Sequence, residues 1–229
     1  MSEAALTLYT YWRSSAAWRV RIGLNLKSLP WEARPVHLVR DGGQQHAPGY
    51  AGLNPQQLVP TLVHGQTVLT QSLAILEYLD EAFHDTPALL PSDAAGRARV
   101  RALAQLVACD IHPINNLRVM QYLGGRLDVD EAARQGWTSH WMQTGFAAME
   151  AMLVSSSATG RFCHGDTPGL ADCCLVPQLY NARRFEVDLT PFPTLVRIEQ
   201  DCLSLPAFVR SAPQAQPDAE PPPAPVCPD

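Results

Sequence analysis

Two adjacent hydroxyls near the start of the chain are the first side chains whose placement suggests chemistry. Ser14 and Ser15 follow a strand-like alternating segment at residues 5–11 and precede a segment to Lys27 with helical spacing of apolar residues. The free N–H groups and the dipole of a helix N-terminus favour an anion, and a thiolate bound there would have a lowered pKa. Simple N-capping by one serine explains the same pattern, so both interpretations stay open.

Two further features of this kind follow along the chain. Val59-Pro60 begins a short strand after a long loop, where a cis bond would turn the Val59 peptide outward to pair with an extended peptide ligand. Gln71 and Ser72 stand at the next strand-to-helix junction, where N–H groups and a hydroxyl can hold a carboxylate. An edge-strand proline and a second N-cap are the structural alternatives. Together, the three features favour a site for a peptide-like anion.

The elements that must position these residues form an α/β unit. We expect strands at 5–11, 31–38, 58–63 and 67–70, helices from Ser14/Ser15 to Lys27 and from Ser72 to Phe83, and a polar loop from Arg40 to Gly49. The resulting order β-α-β-β-β-α is that of a complete small domain.

The rest of the chain is predicted to be helical. We expect a linker at 85–96, helices at 93–123, 130–154 and 170–184, and a disordered or loosely docked tail at 213–229 with seven prolines. The predicted domains are therefore 1–88, an all-α domain at 89–212, and the proline-rich tail.

Composition excludes several functions. The net charge of -5 argues against binding nucleic acid or an anionic membrane, and no apolar run approaches the roughly 18–20 residues of a membrane span. The start of the chain does not resemble a signal peptide, so we expect a soluble cytoplasmic protein. Six cysteines without a C-x-x-C pair indicate reduced thiols and no metal site.

The stretch from Tyr11 to Leu24 resembles the Ser-Ser-Cys-x-Trp-Arg-Val-Arg-Ile-Ala-Leu signature of zeta-class glutathione transferases, the maleylacetoacetate isomerases. Further matches are Leu53-Asn54-Pro55, Val59-Pro60-Thr61-Leu62, Gln71-Ser72-Leu73-Ala74-Ile75, Ile111-His112-Pro113-Ile114-Asn115-Asn116-Leu117-Arg118 and Val187-Asp188-Leu189-Thr190-Pro191. They span residues 6 to about 212. The first motif is specific to this class, whereas the Val-Pro and Gln-Ser motifs occur in glutathione transferases generally.

The resemblance implies a thioredoxin-like N-terminal domain, an all-α C-terminal domain, a homodimer, and glutathione as cofactor with Ser14 and Ser15 as catalytic residues. The residues that it implies for glutathione binding are Ser14, Ser15, Ala16, Ala17, Trp18, Arg19, Gln45, Val59, Pro60, Gln71, Ser72, His112, Asn116, Leu117 and Arg118. Two positions depart from the family pattern. Ala16 replaces the cysteine of the signature, and Gly169 replaces a helix-capping threonine, at an expected modest cost in stability.

The implied reaction is the cis-trans isomerisation of maleylacetoacetate to fumarylacetoacetate in aromatic amino-acid catabolism. Thiolate addition to the conjugated alkene, rotation about the resulting single bond and elimination return glutathione unchanged. A maleylpyruvate isomerase and a general glutathione transferase are the alternatives. Because the substrate is a diacid, we expect Arg13 and Arg184 to bind it, with Arg118 or Arg183 as substitutes. We expect Arg19 and Arg21 to have structural roles.

Overall fold

The N-terminal third of the chain folds around a four-stranded mixed sheet in the computed structural model, which describes residues 5–220. Its elements are β1 (Leu6–Thr10), α1 (Ser15–Leu26), β2 (Trp31–Pro35), α2 (Pro48–Leu53), β3 (Thr61–His64), β4 (Thr67–Thr70) and α3 (Ser72–Ala82). The strand order is β2-β1-β3-β4, with β1 parallel to β2 and antiparallel to β3, and β3 antiparallel to β4. The thioredoxin-like domain is confirmed, and the predicted β-α-β-β-β-α order holds except for α2, which lies between β2 and β3.

The two faces of the sheet are covered by different helices. Leu6 and Leu8 of β1 point to one face, where they pack in a core with Leu24 of α1 and residues of α3. Tyr9 points to the other face and contacts Tyr50 of α2, with ring centroids 5.7 Å apart. The helix α2 begins inside the end of the predicted polar loop, at Pro48, and was missed, because a six-residue helix that begins at a proline has almost no periodic signal.

The second part of the chain is helical as expected. It contains α4 (Ala94–Gln105), α5 (Leu117–Arg126), α6 (Glu131–Val154), α7 (Leu170–Arg184), α8 (Pro193–Leu203) and α9 (Pro206–Ser211). The predicted helices at 130–154 and 170–184 are confirmed as α6 and α7. None of the helices within residues 5–220 is both long enough and apolar enough to cross a membrane.

One expectation for this part is wrong, and two helices were not predicted. The single helix predicted at 93–123 is interrupted by a π-helical turn at Leu106–Ile111 and a 3-10 turn at Pro113–Asn115, before α5 begins. The proline ring at residue 113 cannot donate the N–H that a continuous helix requires, which explains the break. The helices α8 and α9 were not predicted, since both are short and begin at a proline.

The sheet domain and the helices share one core. Trp18 and Ile22 of α1 belong to the large apolar cluster that α4, α6 and α7 build. The buried Lys27 ties the connecting segment down, because its ammonium contacts Asp80 at 3.1 Å and the Pro87 carbonyl at 3.0 Å. The division near residue 88 stays a prediction.

The beginning of the proline-rich tail, which we expected to be disordered or loosely docked, is docked on the helical part of the chain. Pro213–Ala215 forms a 3-10 turn, and the Gln214 side chain donates to the Tyr180 hydroxyl at 2.7 Å. Residues 221–229 lie outside the described residues.

Candidate active site

The three predicted ligand-binding features, namely Ser14-Ser15, Val59-Pro60 and Gln71-Ser72, lie at the same end of the strands. In the strand register, Thr61 at the start of β3 lies opposite both Tyr9 near the end of β1 and Thr70 at the end of β4. The helices α1 and α3 therefore begin side by side at this end, and Val59-Pro60 enters the sheet between them. These features are up to about 60 residues apart in the sequence, so only the strand pairing shows that they share one site.

The two serines at the start of α1 have different surroundings. The Ser14 hydroxyl caps the helix by accepting the Ala17 N–H at 3.2 Å, and the Ser14 N–H donates to the Tyr11 carbonyl at 3.0 Å. Among the described residues, the Ser15 hydroxyl and the N–H groups of Ser15 and Ala16 have no hydrogen-bond partner. N-capping and anion binding are therefore both accommodated, because Ser14 provides the cap and Ser15 keeps free donors.

The Val59-Pro60 peptide bond is cis. Val59 is buried, and neither its N–H nor its C=O is hydrogen-bonded to a described residue. Since a buried backbone group without a partner is unfavourable, this peptide is suited to pair with an extended ligand.

The N-terminus of α3 is a second place with free donors. Gln71 has a left-handed backbone, with φ of 68°, and no side chain caps the helix that follows it. The N–H groups of the first turn consequently have no acceptor among the described residues. The Ser72 hydroxyl accepts from the buried Arg19 guanidinium at 3.2 Å, which places a positive charge directly behind this turn. The arrangement favours a carboxylate.

A cavity of about 500 Å³ opens between the start of α1 and helices α5, α6 and α7. The residues predicted for the site that line this cavity are Arg13, Ser14, Ser15, Ala16, Val59, His112, Asn116, Leu117 and Arg184. A volume of this size suits a small-molecule ligand. The cavity thus brings the free donors of α1 together with residues 112–138 and with residues 181–185 at the end of α7.

His112 is a neutral imidazole in the cavity wall. Burial and, secondarily, the positive charge of Arg19 lower the pKa of His112 to about 3. Its Nε2 lies 3.4 Å from the Asn116 side-chain nitrogen Nδ2, and the Asn116 side-chain oxygen Oδ1 accepts the Arg118 N–H and so caps α5. A side chain with so low a pKa is a hydrogen-bonding group rather than a general base near neutral pH.

The low pKa of His112 predicts a loss of stability in mild acid. The unfolded histidine has a pKa near 6.5, above the folded value, so the unfolded chain binds the proton first as the pH falls. Between pH 7 and pH 5 this linkage lowers the free energy of unfolding by about 2 kcal/mol. We expect His112→Asn to remove that part of the pH dependence in urea denaturation, and the exposed His84→Asn to leave it unchanged. Equal pH dependence in all three proteins would contradict the assignment.

Of the three arginines that line the cavity, Arg13 belongs to the sheet domain, and Arg184, like Arg134, belongs to the helical part. Arg13 stacks on the Trp12 ring at 5.2 Å, and Arg184 donates to the Asn181 side chain at 3.1 Å. Burial, followed by the like charge of Arg13, lowers the pKa of Arg184. The two cations are therefore close enough to interact, and a dianion between them would relieve their repulsion. Arg183 does not share this role, because both of its terminal nitrogens bind the buried Glu199 carboxylate at 2.6 Å.

Comparison with known proteins agrees with this geometry. The family described as "Glutathione S-transferase, N-terminal domain" matches residues 8–87. A probable maleylacetoacetate isomerase of Vibrio cholerae is 50% identical over 215 residues, which cover 94% of this chain and 99% of that protein. The chain belongs to the glutathione transferases of the zeta class. Two solved structures support the assignment in detail.

The first structure is that of a bacterial maleylpyruvate isomerase, described as a zeta-class glutathione S-transferase. It is 52% identical, has a TM-score of 0.90, and covers 93% of this chain and 100% of its own. The second is a maleylacetoacetate isomerase of Methylobacterium extorquens with bound malonate and glutathione, at 40% identity and a TM-score of 0.88, covering 94% of this chain and 100% of its own.

Several residues predicted to bind glutathione lie outside the cavity of this zeta-class chain. Ala17, Trp18 and Arg19 are buried in the core behind the first turn of α1, so their side chains can act on a ligand only indirectly. Gln45 is buried against the Leu38 carbonyl. Pro60, Gln71, Ser72 and Arg118 do not line the cavity; the first three remain at the sheet edge beside it, and Arg118 is exposed on α5.

Other cavity residues were missed by sequence reasoning. They are Tyr11, Leu38, Val39, Leu58, Asn115, Met120, Gln121, Glu131, Arg134, Gln135, Thr138, Asn181 and Phe185. Asn181 had a usable signal, since it precedes Arg184 by three positions and therefore shares its helix face. The π-helical turn before His112 is a second sign of function that only the structure reveals.

The glycine that replaces the threonine of the family pattern has a steric explanation. A Cβ atom at Gly169 would lie 2.7 Å from the Leu89 carbonyl oxygen, which also accepts the Leu170 N–H at 2.9 Å. The Asp172 carboxylate accepts the Gly169 N–H at 2.8 Å and so completes the start of α7 without a side chain at the cap. The expected modest cost of this glycine stays a prediction.

Proposed function

We propose that this zeta-class enzyme catalyses the glutathione-dependent cis-trans isomerisation of an unsaturated diacid, maleylacetoacetate, to fumarylacetoacetate in aromatic amino-acid catabolism. The observation that carries the proposal is the cavity in which the free donors at Ser15 and Ala16 lie together with the two guanidinium groups of Arg13 and Arg184. A thiolate site beside a dicationic site fits a thiol nucleophile and a substrate with two carboxylates.

The free backbone groups fit glutathione in three places. The first turn of α1 suits its thiolate, the unpaired Val59 peptide suits its extended backbone, and the uncapped start of α3 suits its γ-glutamyl carboxylate. Gln71 and Ser72 would hold that carboxylate, with Arg19 behind Ser72. The relative from Methylobacterium extorquens, which was solved with glutathione and a dicarboxylate, supports both halves of this assignment.

When bound, glutathione would supply a thiolate nucleophile whose reversible addition to the alkene turns the C=C bond into a single bond that can rotate. Ser15 and the N–H groups of the first turn stabilise the sulfur anion and lower the pKa of the thiol. Arg13 and Arg184 hold the carboxylates and orient the alkene over that turn. The same two cations stabilise the negative charge that develops on the substrate carbonyl oxygen. His112 is neutral and contributes at most a hydrogen bond.

Maleylpyruvate is the second candidate substrate, because the maleylpyruvate isomerase structure is as similar to this chain as the maleylacetoacetate isomerase of Vibrio cholerae is. Both compounds are cis-enone diacids and require the same groups. A general transferase activity toward apolar electrophiles fits less well, since the wall opposite the serines carries Arg184, Arg134 and Glu131.

The decisive experiment follows the ultraviolet absorbance of maleylacetoacetate and of maleylpyruvate with purified protein, with and without glutathione. We expect turnover of a diacid only when glutathione is present, and no net consumption of glutathione. Turnover without glutathione contradicts the mechanism, and accumulation of a stable conjugate favours the general transferase. The ratio of kcat/KM for the two diacids identifies the preferred substrate.

A homodimer in the cytoplasm completes the proposal. Membership of the zeta class supports the dimer, and light scattering coupled to gel filtration measures it directly. Cell fractionation with an antibody tests the location.

A further inference from the structure

The end of the described chain is attached to the loop that carries Arg13. One Asp218 carboxylate oxygen accepts the Trp12 N–H at 2.9 Å, across 206 positions of sequence. The next residue, Ala219, packs against the buried cluster that includes Tyr11, Trp12 and Val59. The segment at residues 213–220, which we call the C-terminal segment, therefore lies behind the cavity wall.

Both backbone polar groups of Trp12 are held by charged side chains. Asp218 takes the N–H, and the fully buried Arg21 donates to the Trp12 carbonyl at 2.9 Å. Arg21 also donates to the Tyr11 carbonyl at 3.3 Å and to the Ser211 carbonyl at 3.1 Å. Hydrogen bonds to charged groups are about twice as strong as neutral ones, so the loop has little freedom to move.

Trp12 in turn supports Arg13. Trp12 is only 8% exposed, and the Arg13 guanidinium carbon lies 5.2 Å from the centre of its ring. Arg13 itself is exposed, and among the described residues its guanidinium has no hydrogen bond. Its position therefore depends on where the Trp12 ring stands.

We propose that Asp218 is a positioning residue that sets the place of Arg13, and thereby the affinity for one carboxylate of the substrate, by holding the Trp12 peptide. This inference rests on the proposed function in one respect, namely that Arg13 binds a substrate carboxylate. It gives the C-terminal segment a part in substrate binding that its proline-rich composition does not suggest.

A second contact of the same segment is weaker. Glu220 accepts from His37 Nε2 and from Arg40, both at 3.0 Å, on the rim that includes Val39. The His37 Nδ1 atom already accepts the Val39 and Arg40 N–H groups, so Nε2 carries the proton. Because this ion pair is exposed, we expect it to contribute little, and Asp218 to be the anchor that matters.

The test compares Asp218→Ala with Asp218→Asn, which keeps an acceptor oxygen, and with Glu32→Gln, an exposed carboxylate near the start of β2. We expect Asp218→Ala to raise the KM for the diacid about tenfold while the KM for glutathione stays within about twofold, and to speed hydrogen exchange of the Trp12 amide. Asp218→Asn should restore most of both effects, and Glu32→Gln should show neither. An unchanged diacid KM in folded Asp218→Ala, or an equal rise in both KM values, overturns the proposal.

A further variant and a binding measurement distinguish the possible outcomes. If Asp218→Ala does not fold, Asp218→Glu keeps the charge that faces Arg21 but moves the acceptor by one methylene, and the same rise in diacid KM is expected. Calorimetric binding of malonate to the glutathione-loaded protein separates the two proposals. If Arg13→Met leaves the malonate affinity unchanged, the diacid-binding role of Arg13 in the proposed function fails; if Arg13→Met weakens it and Asp218→Ala does not, only the role of Asp218 fails.

Discussion

Replacing both Ser14 and Ser15 with alanine is expected to lower kcat/KM at pH 7 roughly 100-fold, which corresponds to about 2.7 kcal/mol of transition-state stabilisation. The double variant loses the hydroxyl of Ser15, the free side-chain donor in the first turn of α1, and the cap that fixes that turn. The helix N–H groups remain, so binding of glutathione should weaken much less. A thiol pKa that returns toward its ordinary value of about 8.5 is the physical cause of the expected loss.

The pH profile and the single variants separate activation from structure. The double variant should regain rate as the pH rises through the thiol pKa, whereas the unchanged enzyme should be flat over that range. Ser14→Ala alone should lower the free energy of unfolding by about 1 kcal/mol, because it removes the helix cap, and Ser15→Ala should leave stability nearly unchanged. Ultraviolet titration of the bound thiol measures the pKa directly. A bound thiol with the same pKa in the double variant would mean that the helix N-terminus alone activates glutathione.

Local signals in the sequence are enough to locate the two helix N-termini that we propose as glutathione-binding donors. At Ser14 and Ser15, the end of a strand pattern, a serine and the start of helically spaced apolar residues lie within a few positions. The same signals occur at Gln71 and Ser72. The physics of these junctions is local, because free N–H groups belong to the first turn of any helix. Their convergence follows once the strands pair in the observed register.

The diacid half depends on contacts that no local pattern shows. Arg183 and Arg184 are neighbours in sequence, yet one binds Glu199 and the other reaches the cavity, and only the packing of α8 against α7 distinguishes them. The docking of Asp218 on Trp12 is another such contact. A proline-rich composition predicts little regular structure, but it does not exclude an ordered path on a surface that supplies partners.

The second large effect is expected for the two cavity arginines. We expect Arg13→Met with Arg184→Met to raise the diacid KM by at least about 100-fold, because each charge-assisted hydrogen bond to a carboxylate contributes about 1.5–3 kcal/mol. Methionine keeps much of the side-chain volume and removes the charge. The KM for glutathione should change little, since the thiolate and carboxylate donors at the starts of α1 and α3 are separate from these side chains.

Arg183 provides a matched control within the same helix. Arg183→Met removes an equal charge one position away. It should lower the free energy of unfolding, because the buried Glu199 carboxylate loses its partner, and it should leave the diacid KM unchanged in the folded protein. Arg34→Met, on the exposed edge strand β2, controls for the net charge of the whole molecule. If all four arginine variants raised the diacid KM alike, the attraction would come from the overall field rather than from the cavity. With a net charge of -5 the overall field repels a dianion, so only Arg13 and Arg184 should matter, and each single variant should show part of the effect.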